Sequence, residues 1–205
     1  MGKKEYINKN GEAIPRTTEI LGHWQPGLDS LLCWAAGHGS REDFLRNRYR
    51  AARSGTQAHT WIQQTIEGSP RLSDFDQRLD LEQRQWAATS YEGFKEWSTT
   101  HFPLIRQARC EVQLISDAHG FGGTADLIAD LHDGRLILAD WKTSKSLSSS
   151  YIAQLAAYRE AYQEQFQRQI DEAWLVRFCK TEGAYEHRVI SRSELDRGWA
   201  FFTAC

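Results

Sequence analysis

The sequence lacks a long hydrophobic run. Nowhere in its 205 residues does an apolar stretch reach the roughly 18 residues that a membrane-spanning helix needs. The lysines near the N-terminus, Lys3 and Lys4, are not followed by the apolar segment of a secretory signal. We therefore expect no membrane partner and a cytoplasmic location.

Cysteine is scarce and widely spaced. The four cysteines are Cys33, Cys110, Cys179 and Cys205. No two of them have the spacing of metal ligands, so a zinc clip is not expected and the thiols should be buried or free. The chain also lacks the G-x-x-x-x-G-K-[ST] loop that cradles nucleotide phosphates, so no motor of that type is present.

Positive charge is not in excess either. The formal net charge is −2, whereas a protein that coats nucleic acid nonspecifically would be strongly basic. A local basic path would still suffice for an enzyme that acts on a polyanion. Five arginines are close enough in sequence to form one: Arg41, Arg46, Arg48, Arg50 and Arg53. A solvated, arginine-rich helix face explains the same cluster equally well.

The first part of the chain has mainly helical patterns. Residues 6–12 resemble a strand that ends in an Asn-Gly turn, and a short helix begins near Glu19. A further helix is predicted from Leu28 to about Gly37, and another from an N-cap at Ser40 through Arg53. A break is predicted at Gly55-Thr56, after which a helix runs from Thr56 to Gly68. A long helix follows from about Asp76 to His101.

The second part is rich in strand patterns. Strands are predicted at Arg109–Ser116, Thr124–Leu131, Leu136–Lys142, Ala173–Phe178 and Tyr185–Ile190, with a helix from Tyr151 to about Gln169 and a last helix capped by Ser193. Asp133-Gly134 between the second and third strands is a strong hairpin signal. We expect one α/β domain over residues 1–205, mainly helical over 1–105 and with a β-sheet core over 106–205.

A group of charged side chains falls on three predicted strands. Asp140 and Lys142 are two residues apart on one strand and therefore share a face. Asp126 lies on the partner strand of the hairpin, and Glu111 lies on the strand before it. If these strands pair in sequence order, the three carboxylates converge near one end of the sheet.

Clustered carboxylates of this kind suit Mg²⁺ or Mn²⁺. Such a metal activates a bound water and neutralises charge on a phosphate. Lys142 beside it could orient or deprotonate the water, or stabilise the charge that builds on the phosphorus centre. The D-x-K tripeptide alone is weak evidence, because most such pairs are exposed ion pairs and because acidic residues also line sheet edges.

The order of motifs resembles the PD-(D/E)xK nuclease superfamily, in particular its RecB-like and phage-exonuclease branch. Five segments carry the resemblance: 15–21, Gly55-Thr56-Gln57-Ala58-His59, Glu111 with Gly122-Gly123-Thr124-Ala125-Asp126, Asp140-Trp141-Lys142-Thr143-Ser144, and Tyr151 with Gln154-Leu155-Ala156-Ala157-Tyr158. The resemblance implies a restriction-endonuclease-like fold, in which helices flank a central mixed β-sheet, and metal-dependent hydrolysis of DNA.

The resemblance also implies roles for single residues. It implies metal ligands at His59, Asp126, Asp140 and the backbone carbonyl of Trp141, with Glu111 as a supporting carboxylate or a ligand of a second metal. Lys142 would act on the water. Gln154 and Tyr158 would face the site from a helix. Their i, i+4 spacing independently places them on one helix face.

Several of these residues have a structural alternative. Tyr151 and Tyr162 extend the face of Gln154 and Tyr158, and could instead be half-buried core contacts. His59 taken alone could be a structural histidine. Thr143, Ser144 and Lys145 could contact phosphate or simply begin a mobile loop that runs through Ser148, Ser149 and Ser150. Trp24, Trp34 and Trp61 could stack on bases, although core packing is the commoner role.

The resulting hypothesis is an exonuclease on DNA ends, in the replication, recombination or repair of phage or mobile-element DNA. DNA contacts are expected at Thr143, Ser144, Lys145, Tyr151, Arg46, Arg50 and Arg53. A recombinase or a single-strand-binding protein could be a partner. No iron–sulfur cluster is expected, because relatives that hold one have three late cysteines. The alternatives are a structure-specific or nicking endonuclease and a non-catalytic DNA-binding or assembly module that retains the fold.

The histidine ligand predicts a pH dependence. A protonated imidazole cannot bind a metal, and the reference pKa of histidine is about 6.5. We expect the rate of DNA hydrolysis to fall as the pH drops below roughly 6.5, measured as initial rates at constant ionic strength. A rate that is unchanged down to about pH 5 would remove His59 from the metal ligands.

Overall fold

The computed structural model describes residues 5–23, 36–37 and 40–205. The helix predicted from Leu28 to about Gly37 lies almost wholly outside these residues, and so do Trp24 and Trp34. Within the described part of the chain, no helix is both long and apolar enough to span a bilayer.

Within the described residues, a small hairpin and three helices precede the main sheet. The hairpin pairs β1 (Tyr6–Ile7) with β2 (Ala13–Ile14), and the helices are α1 (Thr17–His23), α2 (Arg41–Ile66) and α3 (Leu81–His101), followed by a 3₁₀ turn at Phe102–Leu104. The remaining elements are β3 (Ile105–Ser116), β4 (Phe121–Leu131), β5 (Leu136–Lys142), α4 (Ser149–Phe166), β6 (Glu172–Phe178), β7 (Tyr185–Ile190) and α5 (Arg192–Thr203).

Strands β3 to β7 form one five-stranded sheet in sequence order. Neighbouring strands are antiparallel except for β5 and β6, which are parallel and are joined through α4. The sheet is therefore mixed, as expected. Its parallel pair requires a long crossover, which α4 supplies.

Both faces of the sheet are buried. One face packs against α1, α4 and α5 in a core that includes Leu138, Leu155 and Phe202. The other packs against α2 and α3 in a core rich in aromatic side chains, including Phe94, Trp97 and Trp141. Burial on two faces explains why β4 and β5 are nearly continuous apolar runs and do not alternate in polarity.

Helix α2 corrects one prediction. Ser40 caps it as expected, since its hydroxyl accepts the Asp43 N–H. The helix does not break at Gly55-Thr56, however, but continues to Ile66. A Cβ at position 55 would lie 2.7 Å from Oγ1 of Thr143, so the glycine permits close packing of an unbroken helix. The Thr56 hydroxyl meanwhile donates to the carbonyl of Ala52, within the helix.

The starts of three helices differ from the predictions, each because of a local cap. Helix α3 begins at Leu81 and not near Asp76, because Asp80 and Gln83 form a capping box. Ser191, with Glu194, caps α5 in place of Ser193. Ser148 caps α4, so the serine run that could have been a mobile loop instead opens the helix.

A polar cluster interrupts the aromatic core. The indole N–H of Trp97 donates to Nδ1 of His187 at 3.3 Å, and Nε2 of His101 lies 2.7 Å from the same nitrogen. The His101 ring stacks on Trp97 with ring centroids 4.8 Å apart. Burial, with a smaller contribution from His101, lowers the pKa of His187 to about 4.

This lowered pKa predicts acid sensitivity. The unfolded chain takes up a proton on His187 near pH 6.5, whereas the folded chain does so only near pH 4. The unfolded state thus binds more protons between these values, and stability falls as the pH drops through the window. We expect the Tm of His187→Asn to fall less between about pH 6.5 and 4 than the Tm of wild type.

The matched control is His132→Asn, because His132 is exposed on a turn. Its melting temperature should follow the wild-type pH dependence in differential scanning calorimetry. Parallel curves for His187→Asn and wild type would contradict the assignment.

Candidate active site

The site forms where β4 and β5 separate. Their antiparallel pairing ends at Leu127 and Ala139, whereas β5 continues to pair with β6 as far as Lys142 and Arg177. Beyond Ala139 the backbone N–H of Trp141 donates to Oδ2 of Asp126 at 2.7 Å. Beyond the last residue pair of the ladder, the Asp126 carboxylate thus accepts a backbone N–H of β5 where a carbonyl of β4 would otherwise do so. Polar side chains gather at this end of β5.

Asp140 and Lys142 lie on the face of β5 that α4 covers. Asp140 is 2% exposed, and the Lys142 ammonium forms an ion pair with its Oδ2. Lys142 Nζ also donates to Oε1 of Gln154 at 3.0 Å and lies 4.6 Å from the centroid of the Tyr151 ring. The lysine is thus held between a strand carboxylate and two side chains of α4.

Gln154 links this pair to Tyr158. Its amide nitrogen lies 3.4 Å from Oδ1 of Asp140 and 2.9 Å from the Tyr158 hydroxyl. The structure therefore brings together the residues that i, i+4 spacing placed on one helix face. Tyr162 points elsewhere, since its hydroxyl accepts from Arg109 at 2.7 Å.

Asp126 and His59 form the other half of the site. Nδ1 of His59, on α2, lies 3.3 Å from Oδ1 of Asp126. Because Oδ2 accepts the Trp141 N–H, the aspartate is fixed on both oxygens. The contact joins α2, which covers one face of the sheet, to Asp126 on β4, close to the side chains that α4 covers. His59 therefore belongs to the same cluster, and its role as a metal ligand stays a prediction.

Glu111 lies beside Asp126 on the ladder. The flanking register pairs are Cys110 with Leu127 and Val112 with Ala125, which puts Glu111 at the level of Asp126 on the neighbouring strand. Its backbone is nevertheless left-handed, with φ of 51°. That conformation costs a non-glycine residue about 1–2 kcal/mol, and strain of this kind tends to concentrate at functional sites. Sequence patterns alone did not predict it.

The four central groups perturb one another. Burial raises the pKa of Asp140 to about 6, although the Lys142 charge opposes the shift. Burial would also raise the pKa of Asp126, but the charge and hydrogen bond of His59 outweigh it and leave the pKa lowered. Burial would lower the pKa of His59 and of Lys142, but the aspartates prevail and both pKa values are raised.

These residues fit a divalent metal in chemistry. Oδ2 of Asp140 is a buried oxygen that accepts no well-aligned hydrogen bond in the described part of the chain, even though the Lys142 ammonium lies against it. The carboxylate oxygens suit Mg²⁺ or Mn²⁺, whereas an imidazole such as that of His59 is a better donor to transition metals than to Mg²⁺. Among residues 5–23, 36–37 and 40–205, no three acidic, histidine or cysteine side chains already enclose a metal position. Lys142 and His59 instead pair with the two carboxylates.

Two glycines of β4 bring neighbours close to the site, a role that was not predicted. A Cβ on Gly123 would lie 2.3 Å from Cε1 of Tyr158. The carbonyl of Gly122 accepts the Thr17 hydroxyl at 3.0 Å. Glycine inside a strand signals such close approach, so the Gly-Gly pair could have indicated it.

The predicted DNA contacts differ in availability. Thr143 packs against Gly55, the Ser144 hydroxyl donates to the carbonyl of Ser146, and Lys145 is exposed.

Arg46 forms an ion pair with Asp43. Arg50 forms ion pairs with Asp80 and Glu82 and lies over the Trp86 ring, and Arg53 is exposed.

Trp61 is buried against Phe75 and Tyr91, so it does not stack on bases.

Comparison with known proteins identifies the class that this fold and site define. A family model described as the PD-(D/E)XK nuclease superfamily matches residues 34–200. The chain belongs to that superfamily. Its members generally use divalent metals such as Mg²⁺.

One similar solved structure is that of a candidate exonuclease from Eubacterium rectale, which is 12% identical with a TM-score of 0.49. The match covers 74% of this chain and 64% of that protein. The chain therefore spans less than two thirds of the length of that protein. No curated protein matches the chain.

The close approach at Gly123 predicts the effect of a substitution. In Gly123→Ala the added methyl group would press on Tyr158, and overpacking of this kind costs about 1–3 kcal/mol. We expect the free energy of unfolding, measured with urea, to fall by about that amount. Gly22→Ala is the control, because among the described residues its Cβ would meet nothing within 4 Å. Equal stability of the two variants would contradict this packing.

Proposed function

We propose that the protein is a Mg²⁺- or Mn²⁺-dependent deoxyribonuclease of the RecB-like branch, and that it acts as an exonuclease on DNA ends. The observation that carries the proposal is the convergence of Asp126, Asp140 and Lys142 at one strand end, with His59 reaching them from α2. Superfamily membership supports hydrolysis of phosphodiester bonds.

In this proposal His59, Asp126, Asp140 and the Trp141 carbonyl hold the metal. The metal would supply an activated water and neutralise phosphate charge. Glu111, next to Asp126 on the ladder, supports that aspartate or a second metal.

Lys142 is assigned to the attacking water and the phosphate. Its pKa is raised in the described structure, because Asp140 and Asp126 outweigh the effect of burial. The ammonium form therefore predominates in the metal-free protein. A fixed cation there favours orienting the water and stabilising the charge that develops on phosphate over removing a proton. Gln154 and Tyr151 hold this ammonium in place.

We further propose that residues 1–205 form a single nuclease domain, with helices mainly before residue 105 and the catalytic sheet after it. A role in phage or mobile-element DNA metabolism, with a recombinase or a single-strand-binding protein as partner, rests on the sequence resemblance. So do contacts of DNA with Thr143, Ser144, Lys145 and Tyr151.

The proposal predicts loss of hydrolysis in two variants. End-labelled duplex and single-stranded DNA are incubated with Mg²⁺ or Mn²⁺, and initial rates are compared. We expect Asp140→Asn and Lys142→Gln to lower the rate by at least roughly 10²-fold. Lys95→Gln is the control, because Lys95 is exposed on α3 and pairs with Glu92. Cleavage by either site variant at the wild-type rate would refute the assigned roles.

A covalently closed circle distinguishes the alternatives. A strict exonuclease leaves it intact, whereas an endonuclease nicks it. If the wild-type protein degrades neither the linear DNA nor the circle, and takes up no Mg²⁺ or Mn²⁺ in calorimetry, it would be a non-catalytic DNA-binding module.

A further inference from the structure

One face of α2 runs from the candidate site toward the N-terminal end of the helix. His59 contacts Asp126, and Gly55 lies against Thr143, so these two residues fix which side of α2 faces the site. An α-helix turns by about 100° per residue. Ala52, Arg48 and Arg41, which are 7, 11 and 18 residues before His59, therefore point within about 20° of it. We call residues 41, 48, 52, 55 and 59 the site stripe.

The two arginines of the site stripe are exposed. Neither forms an ion pair or a side-chain hydrogen bond within the described residues, in contrast to Arg46 and Arg50 of the same helix. Arg46, Arg50 and Arg53 also point about 120–180° away from His59. Among the described cationic side chains of α2, those on the side of the site that form no ion pair with another described residue are thus Arg41 and Arg48.

The rise of the helix sets their distance from the site. At about 1.5 Å per residue, Arg48 lies about 16 Å and Arg41 about 27 Å along α2 from His59. One strand of duplex DNA advances about 3.4 Å per nucleotide. A strand that follows the stripe would meet Arg48 about five nucleotides, and Arg41 about eight nucleotides, from the reacting phosphate.

We propose that Arg41 and Arg48 bind backbone phosphates of the DNA strand that leads away from the candidate metal site. The inference rests on the proposed function and assigns the phosphate contacts of α2 to Arg41 and Arg48 in place of the predicted Arg46, Arg50 and Arg53. Its support is the continuity of the stripe with His59 and the complementarity of two unpaired guanidinium groups with a polyanion. Contacts to phosphate fix position without reading sequence. We therefore expect the affinity of the protein to depend on the length of the DNA and not on its base composition.

The test measures binding separately from cleavage. Fluorescence anisotropy in EDTA follows the binding of a labelled 30-base-pair duplex and of a labelled dinucleotide strand, whose single phosphodiester link is too short to reach from His59 to Arg48. We expect Arg48→Gln to weaken binding of the long DNA by about tenfold and to reduce the slope of log K against log salt by about one. Arg41→Gln should act similarly, and the short strand should show no change.

Arg46→Gln is the matched control, since Arg46 lies on the same helix, is also exposed and points away from the site. Melting temperatures verify that all three variants fold. Equal binding of long DNA by Arg48→Gln and Arg46→Gln, or equal losses on long and short DNA, would overturn the inference.

The proposed function fails in a different way. A wild-type protein that binds the long duplex through Arg48 but degrades no DNA with Mg²⁺ or Mn²⁺ refutes the nuclease and retains the phosphate contact. A wild-type protein that degrades DNA with no loss in Arg48→Gln refutes only the contact.

Discussion

The bond from the Trp141 N–H to Asp126 determines the geometry of the site. It forms where the ladder between β4 and β5 ends, so the two strands stay joined by a carboxylate and not by backbone alone. The same aspartate contacts His59 on α2. One side chain therefore connects two strands and a helix, while pairing with β6 holds Asp140 and Lys142 next to it.

Burying so much charge is costly, and the cluster offsets the cost by pairing. Buried ion pairs contribute little net stability, but removing one partner leaves an isolated charge and costs about 3–5 kcal/mol. Lys142 and His59 thus compensate Asp140 and Asp126 when no metal is bound. A metal that enters must compete with these cations for the carboxylates.

The sequence allowed local elements to be predicted where local and tertiary preferences agree. Strand β5 matches its predicted bounds, because an apolar run follows a strong turn signal. The break at Gly55 was wrong, because glycine there serves a contact with Thr143, nearly 90 residues later in the chain. The grouping of Asp126, Asp140, Lys142 and Gln154 followed from motif order. The left-handed backbone of Glu111 and the engagement of Arg50 by Asp80 and Glu82 depend on tertiary contacts that no local pattern encodes.

Trp141 connects the site to the interior in a way that is useful for spectroscopy. Its backbone belongs to the site, while its indole is 2% exposed and lies 5.2 Å from the ring of Trp97. Neighbouring indoles at this separation exchange excitation energy efficiently. A change in the angle between the two rings would therefore change the polarisation of the intrinsic emission, so a shift of the β5 end on metal binding could be detected without attaching a dye.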